Sequence, residues 1–150
     1  LYALYEFFRE RSPHKESAVV RDALVQAGVD APAVISQHAL DPELRDPLCT
    51  EALERFIMLY GAEAGNLALK SFSTGGVFLG GGIARKILPR MQDGVFLSNF
   101  IRKGRFKSLC ERMPIYVLLD PLAGLRGAAY LIDNEDGDDG EPEVATVLFD

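Results

Sequence analysis

Only two cysteines, Cys49 and Cys110, and two histidines, His14 and His38, occur in 150 residues. That is too few for a disulfide framework or a zinc site, and it points to a reducing, cytoplasmic setting. Also missing is any run near the roughly 18 apolar residues of a membrane helix, and no basic stretch precedes a short apolar one as in an export signal. Neither membrane insertion nor secretion is expected. The phosphate-cradling pattern GxxxxGK[ST] is absent as well, which removes the P-loop enzymes from consideration.

Hydrophobic residues make up 48% of the chain, enough for one globular domain that buries roughly 70% of its unfolded surface. The formal charge of -6 is misleading. Asp133 to Asp150 holds eight acids and no base, leaving 14 acids against 16 bases in residues 1 to 132. The body is nearly neutral and the last segment, Gly-rich and acidic, is expected to be disordered. Between Arg85 and Arg112 eight Lys or Arg face only Asp93 and Glu111. Charge runs of this kind are usually solvated helix faces, nucleic-acid binding would also want exposed aromatics or a groove-reading element, and an acidic protein offers it little electrostatic support, so no nucleic-acid partner is expected.

Apolar spacing predicts helices over residues 1 to 11, over Ala18 to Ala27 with Gly28 as the stop, and around Pro32 to Ala39. The strongest pattern follows. Asp46 suits an N-cap and Pro47 the first helical position, with Leu53, Phe56, Ile57, Tyr60, Ala64, Leu67 and Ala68 forming one stripe to about Lys70. Gly61 and Gly65, one turn apart, cost about 1 kcal/mol each in a helix interior and imply another backbone packed closely there. Val77 to Leu79 reads as a strand, followed by a helix from Ile83 and further helices over Val95 to Lys103 and Phe106 to Arg112. Ile115 to Asp120, IYVLLD, reads as a buried strand of a parallel sheet, and residues 121 to 132 as a last helix containing small residues. His14 and His38 are placed at surface turns and helix ends. Asp120, at a strand end before Pro121, is either a ligand group or a turn acceptor.

Two strands among so many helices cannot cover their own sheet edges. Together with a first residue, Leu1, inside an apolar helical pattern, this suggests part of a larger protein.

The stretch GGVFLGGGIARKI, Gly75 to Ile87, holds the main functional signal. Strand, glycine cluster, helix brings backbone N–H groups close to an anion or a flat ligand. A dinucleotide GxGxxG would need glycine at position 85, where Arg85 stands. A tight turn alone needs one glycine rather than the three at Gly80, Gly81 and Gly82.

The segments GAEAGNLALKSFSTGGVFLGGGIARKILP (61 to 89), FIRKGRF (100 to 106) and PIYVLLDPLAGLRGAA (114 to 129) resemble the C-terminal part of the bacterial glucokinase family, within the sugar kinase, actin and heat-shock chaperone ATPase superfamily. The resemblance implies a ribonuclease H-like, actin-type ATPase fold in the α/β class. Residues 1 to 119 would supply the end of the large α/β domain with two parallel strands. Residues 120 to 132 would form a helix returning towards the small domain, and 133 to 150 an acidic tail. It further implies an adenosine motif in which Gly80, Gly81 and Gly82 let ATP lie against the backbone, Ile83 opens the helix, and Arg85 matches a position where a related chaperone ATPase places arginine over adenine. ATP and Mg²⁺ are the implied cofactors, glucose the implied substrate, the missing N-terminal portion and a possible second copy the implied partners. The family's DxGGT motif, catalytic aspartate and sugar contacts have no counterpart here, so this segment alone is expected to be inactive. The alternative is a non-catalytic interaction or regulatory module that retains half of a nucleotide site. A valine at Gly82 is expected to fill the nucleoside space and to resist any positive φ of the turn.

Overall fold

The computed structural model describes residues 1–133 and 146–148. Helices α1 (Tyr2–Arg11), α2 (Ala18–Ala27) and α3 (Ala31–Leu40) lead to α4 (Pro47–Ser71), whose 25 residues form the spine of the fold. Ser17 caps α2 by accepting the Val20 N–H at 3.3 Å. At the start of α4, Asp46 accepts the Cys49 N–H at 2.9 Å and Pro47 occupies the first turn, an arrangement worth about 1 kcal/mol over alanine. The helix ends at Phe72, in the left-handed region at φ 52°.

Next come β1 (Val77–Leu79), the five-residue α5 (Gly82–Lys86), α6 (Leu88–Met91), α7 (Val95–Ile101) and α8 (Lys107–Cys110). Strand β2 (Ile115–Leu118) returns parallel to β1, pairing Val77 with Ile115 and Leu79 with Val117. Helix α9 (Ala123–Asp133) follows. The expected parallel pair is present, but the sheet has a third strand. β3 (Thr146–Leu148) lies antiparallel on β2, in the order β1-β2-β3. Here the expectation of a disordered segment after Asp133 needs correcting. The acid-rich stretch is followed by residues 145 to 149, ATVLF, a composition that suits a strand when an edge is available. The remainder of that segment lies outside the described residues.

The core is continuous from α1 to β2, built on Tyr5, Ile35, Leu53, Ile57, Phe96, Phe100 and Val117. Helix α7 lies directly on α4. Tyr60 meets Phe96 edge-on at 5.5 Å, and a methyl group added at Gly61 or Gly65 would sit 3.1 Å from the carbonyl carbon of Phe96 or Phe100 and closer still to its oxygen. The inferred close backbone is therefore α7. Lys103 fixes the crossing by donating from Nζ to the Ala62 carbonyl at 2.6 Å and to Asn66 Oδ1 at 2.7 Å.

Three expectations fail locally. Leu67, placed on the buried stripe, is 54% exposed, because 3.6-residue periodicity carries the stripe past the edge of what α7 covers. The helix expected over Phe106 to Arg112 is a 3₁₀ turn at Gly104–Phe106 plus the single turn of α8. His38 is buried rather than on the surface, with 7% of its area accessible. Its Nδ1–H donates to the Leu44 carbonyl at 3.1 Å.

Candidate nucleotide site

Strand β1 ends at Leu79, which is buried against the core, and the chain then leaves the sheet through Gly80 and Gly81 into α5. The three glycines differ in what requires them. Gly81 has φ 96°, a conformation that side-chain-bearing residues rarely adopt. Gly80 has no positive φ, and a methyl group there would make ordinary contact, 3.5 Å from a Leu118 methyl. Gly82 opens α5 without positive φ, and nothing lies within 4 Å of a methyl group added at Gly81 or Gly82. The positive φ anticipated for the turn is thus at Gly81, not Gly82. Internal packing accounts for none of the three, and backbone conformation only for Gly81.

Ile83 is exposed on the outer side of α5, whereas Ala84 and Ile87 anchor the same segment in the core. Ile83 and Lys86 form one wall of a cavity of about 210 Å³. Ala33 and Ser36 of α3, Asp30 just before it, and Leu53 and Phe56 of α4 line the rest. The lining is mainly apolar with a few polar groups, as in small-molecule sites generally, and includes Ile83 but not Gly80, Gly81 or Gly82. Its volume falls short of the roughly 300 to 1,000 Å³ of complete small-molecule pockets. Ser36 Oγ–H is turned back to the Ala33 carbonyl at 2.9 Å.

Arg85 goes elsewhere. Its Nη1 approaches the Leu119 carbonyl at 3.4 Å, joining α5 to the chain just beyond β2. Asp120 accepts the Leu122 N–H at 2.9 Å and pairs with Arg126 Nε at 3.2 Å. It is the turn acceptor of the two roles open to it. The sequence placed Gly80 to Ile83 in one turn, and the structure keeps them contiguous. The α3 and α4 walls of the cavity were not legible in the sequence, because they are contributed from 27 to 53 residues upstream of Ile83 by segments whose pattern signals only core.

No group of three His, Cys, Asp or Glu side chains among the described residues could hold a metal ion. The cysteines are buried away from the cavity. Burial, reinforced by the Asp46 carboxylate, pushes the Cys49 thiol far up, and burial raises Cys110 too. Much of the basic cluster is already engaged: Arg90 pairs with Asp93 at 3.0 Å, Lys107 with Glu111 at 3.6 Å, and Lys103 is spent on α4. Among the described residues no helix is long and apolar enough to cross a membrane.

The family model of glucokinase matches residues 1–135. A glucokinase of Nostoc punctiforme is 46% identical over 138 residues, which is 86% of this chain and 40% of that protein. A glucokinase of Synechocystis is 43% identical over 136 residues, 84% of this chain and 38% of that protein. The crystal structure of a glucokinase from an Antarctic psychrotroph superimposes with a TM-score of 0.61 at 27% identity, covering 88% of this chain and 45% of that one. The chain therefore spans about 40% of the length of the curated relatives it matches. With the order β1, glycine turn, helical crossover, parallel β2 in place and a match that runs from the first residue through α9, the chain belongs to the glucokinase family.

Proposed function

We propose that this chain is the adenosine-binding portion of an ATP-dependent glucokinase, which moves the γ-phosphoryl group of ATP to the 6-hydroxyl of glucose. The observation that carries the reading is the unobstructed glycine turn beside a half-built apolar cavity. Adenosine would lie along the Gly80, Gly81 and Gly82 backbone, with its base against Ile83 in the slot between α5 and α3. Because α5 is so short, little helix dipole is available. The chain's contribution is then shape and desolvation of the nucleoside rather than charge on the phosphates. Arg85 supports this turn from behind through Leu119 instead of covering the base.

The rest of the site would come from the portion of the enzyme outside this chain. That portion would supply the group that takes the proton from the sugar hydroxyl and the sugar contacts, and Mg²⁺ would arrive on the ATP phosphates, since no ligand set for it is found among the described residues. Phosphoryl transfer is catalysed largely by positioning and charge neutralisation. A chain that holds only the adenosine end should therefore not turn over. Helix α9 fits a connection towards that missing portion: Leu125, Leu131 and Ile132 are exposed, and Gly124 and Gly127 have open space beside them. A cytoplasmic setting and a homodimer accord with this reading.

The test is a coupled assay of the complete polypeptide with ATP and glucose, mannose or fructose, run beside the 150-residue chain alone. Glucose-dependent turnover by the complete polypeptide and none by the chain is the expected result. Turnover by the purified chain above a mock preparation would overturn the division of labour.

A further inference from the structure

The glucokinase family match ends at residue 135, and β3 lies beyond it. Thr146, Val147 and Leu148 nevertheless complete the sheet, opposite Leu118, Val117 and Tyr116 respectively. Strand β2 explains why an addition is useful. Its sequence IYVL has no charge and no proline, and its ladder to β1 runs in unbroken register. Natural edge strands are normally protected by charges, prolines or bulges. This one has none of them, and two of its four residues are β-branched.

We propose that residues 146–148 are a detachable cover for an association edge, and that when they leave, β2 pairs with β2 of a second copy. The antiparallel direction of β3 shows that the edge accepts an antiparallel strand. Two copies related by a two-fold axis present their strands to each other in that same direction, so the edge is self-complementary. An axis through Val117 places Tyr116 of each copy opposite Leu118 of the other, replacing the three-residue register that β3 occupies. Among the described residues β3 is the strand that occupies this edge of β2, and the local concentration of a strand on the same chain favours it over a second copy at low protein concentration. The proposal does not depend on where ATP binds.

Two variants of the complete polypeptide test it: removal of residues 134–150, and Val147→Pro, which removes a strand N–H while leaving the acidic stretch intact. Sedimentation velocity over a concentration series, with amide exchange of residues 116–118, gives the readout. The expected result is exchange faster by about tenfold or more in dilute variant, and association beyond the wild-type state at a concentration at least about tenfold lower. Protection of residues 116–118 should return in the associated form. Faster exchange without added association would overturn the association edge. Unchanged exchange in both variants would overturn the cover itself. Should the truncated protein fail to fold, the Val147→Pro outcomes decide in the same way.

Discussion

Two pairs of neighbouring glycines, Gly61 with Gly65 and Gly81 with Gly82, occupy opposite kinds of space. At the first pair a methyl group would strike the backbone of α7; at the second it would meet nothing within 4 Å. The first pair is glycine because the protein itself fills the space. At the second, a turn geometry explains Gly81, and nothing among the described residues requires glycine at Gly82. Glycine in a sequence reports close approach, and only the structure tells whether the approaching group is internal.

The largest effect should come from the internal pair. Gly65→Ala forces α7 away from α4 and competes with the Lys103 side chain, whose Cε lies 2.6 Å from the added methyl position. A loss of about 1 to 3 kcal/mol is expected from such overpacking, read as a lower midpoint in chemical denaturation. A neutral Gly65→Ala would mean that the crossing is looser than the structure shows. Gly81→Ala should come next, at about 1 to 3 kcal/mol, through its positive-φ, extended backbone alone. Asp46→Ala should cost about 1 kcal/mol by uncapping α4, while Asp46→Asn should recover most of it.

A smaller effect, confined to alkaline pH, follows from the thiol of Cys49. Its folded-state pKa is raised by burial above the unfolded value of about 8.5. Stability from this group is fully present below the unfolded value and is lost as pH rises above it, because only the unfolded chain gains by ionising. Cys49→Ala should flatten that part of the stability profile between about pH 8 and 10. An unchanged slope would assign the alkaline loss to Cys110, whose thiol is likewise raised by burial, because Tyr5, also pushed up by burial, contributes only above the unfolded tyrosine value of about 10.

Local chemistry was legible in the sequence and remote assembly was not. The Asp46–Pro47 start of α4, the Gly28 stop and the parallel strand pair follow from capping, φ preference and apolar runs, which act within a few residues. The glycine turn was visible for the same reason. The α3 wall of the cavity was invisible because Asp30, Ala33 and Ser36 meet Ile83 only through tertiary packing on α4. His38 was misplaced because a histidine near a helix end carries no sign of the Leu44 carbonyl that satisfies it. The strand at Thr146–Leu148 was obscured by the acids before it: composition averaged over the whole segment hides three residues with strong strand preference.

The most direct test of the nucleotide reading is Gly82→Val in the complete polypeptide, because this position has no positive φ and open space, so the substitution should leave the fold alone. Melting temperature and the KM values for ATP and glucose are measured together. An ATP KM raised by at least about tenfold, with glucose KM within about twofold and melting temperature unchanged, is the predicted result. A stably folded Gly82→Val enzyme with the wild-type ATP KM would contradict adenosine binding at this turn.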